Sequence, residues 1–429
     1  MKKIALILTL LLALGSVQVF AKTYSLDECI EMAKQTDPDL ERFRNNVKTS
    51  GMTVWNQAGQ FLPSLSFGGD YTKTKMYGIL DSLGNVFPGY TTNSYSTGFT
   101  LNYTLFDGLQ NVWNYFGSKQ SKSVADYNLV SSVSNLQYAV KGSYYLVLKA
   151  KRDFEVAEQA VGRSEELLKL FEEKYKLGSS SLSEVLKQKV QYGNDKLTLV
   201  RAANNYKLAK YQLAITIGLD PQQDLEIVDL KMKKQTVSSL QSLISEATAS
   251  HPSLMSAYAE MNASKYDVRS AKGTYLPSLT LRHDQSWSGG TFSDLTKFES
   301  YNRRGMTIVS LNFNIFDRFT RERNMSRAKA SLNNSKASSF YTKNRVIKDV
   351  QDAYLGVKLA EETLVVTEET ERSASEDMAL VQAKYNLGAA ALWELLDAQV
   401  SLKSAQFNKV KAEFDYNLAH AKLLNAMGK

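Results

Sequence analysis

Two periodicities alternate along the chain. Residues 24–60 are helical in pattern, and Pro38 after Asp37 predicts a break into a short helix and a longer one, since proline fits a first turn but not a helix interior. From Pro63 the period drops to two. Phe99, Leu101, Tyr103 and Leu105 alternate with Thr100, Asn102 and Thr104, which predicts a strand with one wet face. Its partner starts at Ser64, and residues 76–94 between them, carrying Gly, Ser, Asn, Asp and Tyr, read as a long loop. Beyond Asp107, placed where its carboxylate can cap a helix start, the pattern is helical again, and no proline occurs from 89 to 220. As one helix, residues 108–176 would measure roughly 100 Å at about 1.5 Å per residue. Glycines at 108, 117, 142 and 162 weaken such a rod without ending it. Leu177-Gly178 then permits the left-handed turn that stops a helix, and Val185, Tyr192, Leu199, Tyr206 and Leu213 recur every seven residues, a coiled-coil seam.

The whole plan is written twice. Leu26, Ile30, Ala33, Pro38, Gly59, Pro63 and Leu65 return as Leu240, Ile244, Ala247, Pro252, Gly273, Pro277 and Leu279, each 214 residues on. The offset then becomes 210, as in Leu101 and Leu311, Asp107 and Asp317, Tyr144 and Tyr354, Gly178 and Gly388, or Glu184 and Glu394. Four residues are therefore missing from the second copy between the positions matching 65 and 101. So long a period marks a duplicated domain rather than a solenoid. The expected organisation is a first repeat over 22–218 with a β-hairpin at 63–106 and a helical hairpin at 107–218, and a linker at 219–236 containing Pro221 and a charged run around Lys231. A second repeat follows over 237–429, with a β-hairpin at 277–316, a connecting loop at 288–304 and a helical hairpin at 317–428. In the second copy Val309, Leu311, Phe313 and Ile315 alternate with polar residues. The seam reads Leu395, Leu402, Tyr416 and Leu423, interrupted by Lys409, and Ala398, Ala405, Ala412 and Ala419 run beside it. Small side chains there let neighbouring backbones approach.

The first 21 residues change the picture by adding an address. Lys2 and Lys3, an apolar run over 4–14 and the small-residue end at Ala21 read as a secretory signal peptide, 1–21. Of 429 residues, 43% are apolar and 22% charged, an ordinary folded composition, and after Ala21 no apolar run reaches the length of a membrane-spanning helix. Any membrane contact must then be made by strands. The formal charge is +8, with Lys and Arg spread along helical stretches, and export makes nucleic acid an implausible partner. The lone Cys29 excludes an intramolecular disulfide and any zinc site that needs paired thiolates, while His251, His283 and His420 fall in three separate elements with no metal-like spacing. No cofactor motif and no catalytic motif occurs: there is no Walker A loop, no G-x-S-x-G and no H-E-x-x-H, so the chain does not read as an enzyme.

Four amphipathic strands per chain are too few to close a barrel in lipid, where an open edge leaves backbone groups unsatisfied; three chains would supply twelve. The entries FLPSLSF and YLPSLTL, the junctions LNYTLFDG and LNFNIFDR, and the turns KYKLGSSSLSEVL and KYNLGAAALWELLDAQ, in this order and occurring twice, resemble the TolC-type outer membrane efflux and secretion channels over essentially the whole mature chain. The resemblance implies a homotrimer in the cell outer membrane, with a 12-stranded β-barrel continued by an α-helical coiled-coil tunnel through the periplasm. It further implies docking on a periplasmic adaptor and an inner membrane pump, in efflux or in type I secretion, with cargo chosen mainly by the pump. Lys429 follows the last helix almost at once, so the belt of extra structure around the tunnel's middle is expected to be reduced.

The resemblance also implies a periplasmic gate at Glu394 and Asp397. By spacing they share a helix face, and three-fold symmetry would bring six carboxylates around one axis, raising one another's pKa; without the family they read as two solvated acids early in a helix. The family pattern has Asp at the first of these positions. The matching first-half pair is Glu184 with Lys187, a mixed pair expected on an outer hairpin. The turns at Leu177, Gly178 and Ser179 and at Leu387, Gly388 and Ala389, with Trp393, are the implied adaptor-docking surface; small residues in a tight turn, and an aromatic packed between helices, are the plainer readings of the same residues. Tyr95, Phe99, Tyr103 and Trp287 suit either interfacial aromatic belts or cross-strand packing. An exported coiled-coil scaffold or adaptor without a barrel would share the helices and the signal but leave the strands unexplained.

Overall fold

The computed structural model describes residues 23–80, 82–222, 225–230, 236–297 and 302–429; the signal peptide and the charged run around Lys231 lie outside them. The first repeat comprises β1 (Thr23–Tyr24), α1 (Leu26–Thr36), α2 (Pro38–Gly59), β2 (Ser64–Met76), β3 (Ile79–Leu80), β4 (Val86–Phe87), β5 (Tyr90–Phe106), α3 (Gln110–Lys176) and α4 (Leu182–Thr216). After β6 (Glu226–Ile227) come α5 (Leu240–Ser250), α6 (Pro252–Gly273), β7 (Ser278–Gly289), α7 (Asp294–Lys297), β8 (Arg303–Asn312), α8 (Thr320–Asn386) and α9 (Leu392–Ala426). Equivalent helices have equal lengths: 11 residues in α1 and α5, 22 in α2 and α6, 67 in α3 and α8, and 35 in α4 and α9. The hairpins absorb the length difference, with strands of 13 and 17 residues in the first and 12 and 10 in the second. Helix length is held by packing along the helix, whereas a hairpin tip tolerates insertion.

The chain divides into two compact units. One gathers Arg44–Asn128 and Leu254–Thr342 and contains an antiparallel sheet in the order β2-β5-β7-β8. Its strand-to-helix junctions correct one expectation. Asp107 and Asp317 do not sit at the N-cap position, because Gly108 and Leu109 in the first copy, and Arg318 and Phe319 in the second, take positive φ and form a turn before α3 and α8 begin. The two carboxylates reach over that turn: Asp107 Oδ2 accepts from the Asn111 amide at 2.7 Å, and Asp317 from the Thr320 and Arg321 amides at 3.2 and 3.1 Å. Glycine is required at 108, where a Cβ would collide with the Gly273 carbonyl oxygen. The last strand corrects another expectation. β8 stops at Asn312, whose partner Ser278 begins β7, so Phe313 and Ile315 alternate in sequence but have no strand to pair with. The loops are also less plain than expected, since β3 and β4 pair within 76–94 and α7 occupies part of 288–304.

The other unit gathers Thr23–Phe43, the described residues of Leu129–Ser253, and Lys343–Lys429. One of its cores joins Cys29, Ile30 and Ala33 of α1 to Val140, Tyr144 and Val147 of α3 and Leu213 of α4. The stretch expected as a linker, 219–236, contributes to this core. Leu225 and Ile227 are buried in it, β6 pairs in parallel with β1, and the Tyr144 hydroxyl donates to the Val228 carbonyl at 2.6 Å. A buried polar group must find a partner, and the short parallel pair and the tyrosine supply it.

Candidate functional site

The turns between the long helices are built alike. Gly178 and Gly388 both have φ of +74°, and the amides of Ser179 and Ala389 each donate back to a lysine carbonyl, of Lys174 and Lys384, at 2.9 Å, the six-to-one bond that closes a helix end on a left-handed glycine. Leu177 and Leu387, 83% and 84% exposed, project from these turns into the open. Beneath them lies a core shared by both helical hairpins, with Leu167, Leu168 and Phe171 of α3, Val185 of α4, Met378 of α8, and Leu392, Leu395, Ala398 and Leu402 of α9. The Tyr385 ring lies 5.4 Å from that of Phe171, and the Lys174 ammonium sits 4.9 Å from its centre. Burial and, second to it, the charge of Glu184 hold the Tyr385 phenol above its ordinary pKa, so the two turns lie within each other's field.

The acids after the turns act first as caps. Ser181 and Glu184 form a reciprocal capping box: the Glu184 amide donates to Ser181 Oγ at 3.3 Å, and the Ser181 amide to Glu184 Oε2 at 2.8 Å. Ser180 Oγ adds a third donor at 2.7 Å. The bond from the Ser181 backbone, then that from Ser180, pulls the Glu184 carboxyl below its ordinary pKa. In the second repeat Ala391 has no side-chain acceptor, so only half the motif survives, with the Ala391 amide donating to Glu394 Oε1 at 2.9 Å. Asp397 is exposed one turn further on, and Trp393 is 69% exposed rather than packed between helices of the chain.

Sequence reasoning missed the polar interior beside these caps. The second repeat's row Ala398, Ala405, Ala412 corresponds, 210 residues earlier, to Gln188, Asp195 and Ala202, all buried. Gln188 Nε2 donates to the Ser164 carbonyl at 3.0 Å, and Lys403 of α9 pairs with Asp195 of α4 at 2.7 Å. Gln191 also donates to Asp195, and Arg163 donates to Gln406 at 3.2 Å. Reading each row against its copy would have exposed the exchange of alanine for glutamine and aspartate. Also unflagged was an open apolar groove on α4 lined by Leu182, Leu186 and Val190, with Leu396 across from them. Lys409, which interrupts the α9 seam, turns aside to Glu371 at 3.3 Å.

In the sheet, side chains segregate by face. The face bearing Leu65, Phe67, Tyr71, Tyr95, Phe99, Leu101, Tyr103, Leu279, Leu281, Trp287, Val309 and Leu311 is mainly apolar and aromatic, with Thr97, His283, Gln285 and Thr307 set among them. The opposite face carries Ser64, Ser66, Asp70, Ser96, Thr100, Arg282, Asp284 and Arg304. Phe67, Phe99 and Trp287 form a cross-strand row with centroids 5.0 and 6.4 Å apart, and Tyr71 lies 4.8 Å from Tyr95. On the polar face Arg282 makes a two-pronged bond to Asp284, which also accepts from Thr100 at 2.7 Å. The three histidines do separate things: His251 Nδ1 accepts from the Ser253 amide, His283 Nδ1 pairs with the Thr307 hydroxyl, and the His420 ring lies tilted 4.6 Å from that of Tyr416. Among the described residues no three His, Cys, Asp or Glu side chains are grouped to hold a metal.

An amphipathic antiparallel sheet joined to duplicated long helical hairpins defines a β-strand membrane channel with a helical extension, a class that an exported scaffold without strands does not share. The sequence matches the outer membrane efflux protein family over residues 29–219 and 243–429, and the chain belongs to that family. It is 20% identical over 432 residues to the outer membrane protein TolC of Escherichia coli K12, covering 97% of this chain and 85% of that protein. To the pyoverdine export outer membrane protein OpmQ of Pseudomonas aeruginosa it is 23% identical, over 78% of this chain and 70% of that protein. Its fold superposes on the crystal structure of the Campylobacter jejuni CmeC outer membrane channel with a TM-score of 0.83 at 16% identity, covering 96% of this chain and 90% of that one. The protein is an outer membrane channel of the kind that serves efflux and export systems.

Proposed function

We propose that three copies close their sheets into one 12-stranded barrel and bundle their helices into a periplasmic tunnel that receives cargo from an adaptor and an inner membrane pump. The single observation that carries this reading is a four-stranded sheet with two unpaired edges, β2 and β8, and one face on which apolar and aromatic side chains predominate. Such a sheet cannot lie in lipid alone. The two repeats fall at 22–218 and 237–429, and the loops between β2 and β5 and between β7 and β8 face the cell exterior. The turns at Leu177, Gly178 and Ser179 and at Leu387, Gly388 and Ala389, together with Trp393, meet the adaptor. Their exposed leucines and the apolar groove along Leu182, Leu186 and Val190 support this.

Glu394 and Asp397 are the gate. Because Glu394 is half-buried and bound to the Ala391 amide at 2.9 Å, the exposed Asp397 is the acid whose carboxylate is left for passing ions. Replacing both acids by alanine removes six carboxylates from the ring while the seam at Leu395 and Leu402 stays intact. Single-channel conductance should rise and block by multivalent cations should fade. Asp397→Ala alone should produce more of the effect than Glu394→Ala, whose main cost is the lost cap, and Glu184→Ala should leave conductance unchanged. Unaltered conductance and cation block in a folded double variant would place the constriction elsewhere.

A further inference from the structure

The aromatic face of the sheet is not uniform along its length. At the helix end it carries Leu65, Leu101, Tyr103, Leu279, Leu281, Val309 and Leu311; the aromatic rows of Phe67, Phe99 and Trp287 and of Tyr71 and Tyr95 follow. Past these rows the same face carries Lys73 and Lys75 on β2, and at the start of β8, level with Trp287 in the aromatic rows, it carries Arg303, all three exposed. Alternation fixes the face: Lys73 and Lys75 follow Tyr71 at steps of two, and Arg303 pairs with Trp287. The sign is unbalanced. The only acids of the four strands, Asp70 and Asp284, both point to the other face, which leaves this one with three cations and no acid. Two of the three cations are held by neighbours. Arg303 donates to Gln285 Oε1 at 3.2 Å, and the Lys75 ammonium lies 4.9 Å from the centre of the Tyr77 ring.

We propose that this end of the apolar face is a binding surface for the phosphate-bearing headgroups of lipids in the membrane's outer leaflet. The inference rests on the orientation given under Proposed function, in which the hairpin tips face the exterior. A face that is apolar below, aromatic at the boundary with Arg303 in that row, and basic above at Lys73 and Lys75 matches a lipid's own order of chain, interface and anionic headgroup. Lysine on a lipid-facing strand is costly at mid-depth but free at the rim, where its stem lies along the rings and its ammonium meets phosphate. β2 and β8 are the two edges of the sheet, so closure of the barrel sets Arg303 of one copy on the strand beside Lys73 and Lys75 of the next, and each of the three seams gains a trio of cations. Guanidinium and ammonium donors spread over two adjoining strands suit a headgroup with two phosphates better than one.

The test uses the full-length channel in nanodiscs of phosphatidylcholine doped with bisphosphorylated lipid A, with dephosphorylated lipid A and phosphatidylglycerol as separate arms. Native mass spectrometry counts the lipids that stay bound. Wild-type protein should retain bisphosphorylated lipid A over its dephosphorylated form. K73Q/K75Q/R303Q should lose retention on the order of 100-fold, from a contribution of roughly fivefold per basic residue. K73R/K75R, with the charge kept, should retain it, which separates lost charge from disturbed folding. Equal retention of the two lipid A forms by wild-type protein, or unchanged retention by the triple variant, overturns the proposal. Retention of phosphatidylglycerol equal to that of bisphosphorylated lipid A would overturn the preference for two phosphates. Cysteine placed at Asn85 and probed with an impermeant label on intact cells reports the orientation separately. Labelling with no lipid effect sinks the inference alone, whereas absence of labelling sinks the orientation beneath it.

Discussion

The ion pair between Lys403 and Asp195 joins the two repeats through the interior of the helical unit, and it sets up a measurable asymmetry. Asp195 is 4% exposed and Lys403 18%, at 2.7 Å. Lys403→Met keeps most of the stem's volume but removes the cation, leaving a buried carboxylate with the Gln191 amide at 3.1 Å and the field of Arg163 as its remaining support. Removing one partner of a buried pair costs about 3–5 kcal/mol, and that residual support puts the expected loss near the lower bound, about 3 kcal/mol. Asp195→Asn should cost less, about 1 kcal/mol, because asparagine keeps a hydrogen-bonding oxygen and the freed ammonium, already partly exposed, extends its stem to water. Asp195→Leu with Lys403→Met replaces the pair by apolar groups of similar volume, and should fall within about 1 kcal/mol of wild type. Urea unfolding of the detergent-solubilised wild type, Lys403→Met, Asp195→Leu and their double variant, read from midpoint and slope, supplies the four corners of the cycle. An additive cycle, or Lys403→Met indistinguishable from wild type, would show that the pair is a surface contact despite its burial.

Two further outcomes follow from backbone and burial. Gly193 sits inside α4 with nothing within 4 Å of the point where an alanine methyl would stand, so Gly193→Ala should raise stability by about 0.5–1 kcal/mol, while Gly108→Ala, at positive φ against the Gly273 carbonyl, should lower it by more than that; thermal melts of the two variants check the opposite signs. Cys29, fully buried, has its thiol pushed up to about 11 by burial and then by Glu28, so a maleimide should label it at pH 8 only after unfolding; the folded state disfavours the thiolate, so this residue's contribution to stability is intact below the ordinary thiol pKa and is lost as pH rises toward 11, and rapid labelling of the folded protein would refute the burial.

What the sequence made legible follows from which forces are local. Helix extents were readable because periodicity, proline placement and the turn glycines act within a few residues. The S-x-x-E pattern at 181–184 is as local and forms the capping box it spells, but Glu184 was read only for its charge beside Lys187. Strand ends were not, because a strand ends where its neighbour does: Phe313 and Ile315 keep the alternation but lie beyond the start of β7. The β1–β6 pair was invisible for the same reason, since it joins Thr23 and Tyr24 to Glu226 and Ile227 across some two hundred residues with two positions each. Buried polar residues were the hardest to see. Gln188 and Asp195 look like solvated helix positions until Ser164 and Lys403 are brought to them.

At the helix turns the two copies keep Leu177-Gly178, Leu182 and Glu184 as Leu387-Gly388, Leu392 and Glu394, and differ around them at a few positions of contrasting character. Elements of equal length and matching order carry Ser181, Ser183, Lys187, Gln188 and Asp195 in one repeat, and Ala391, Trp393, Asp397, Ala398 and Ala405 at the same positions in the other. Each exchange has a physical sign. Ser181 to Ala391 removes half a capping box and loosens the start of α9 relative to α4. Gln188 and Asp195 to Ala398 and Ala405 replace hydrogen-bonded, space-filling side chains by methyls, which lets a neighbouring helix approach α9 more closely. Lys187 to Asp397 turns a mixed pair into two acids. In the trimer proposed above, a hairpin that is less firmly capped, slimmer and more acidic than its twin suits the position nearest the common axis. The firmly capped hairpin, with its basic residue and exposed apolar groove, suits the periphery, and the Lys403–Asp195 pair is the buried bond by which one holds the other.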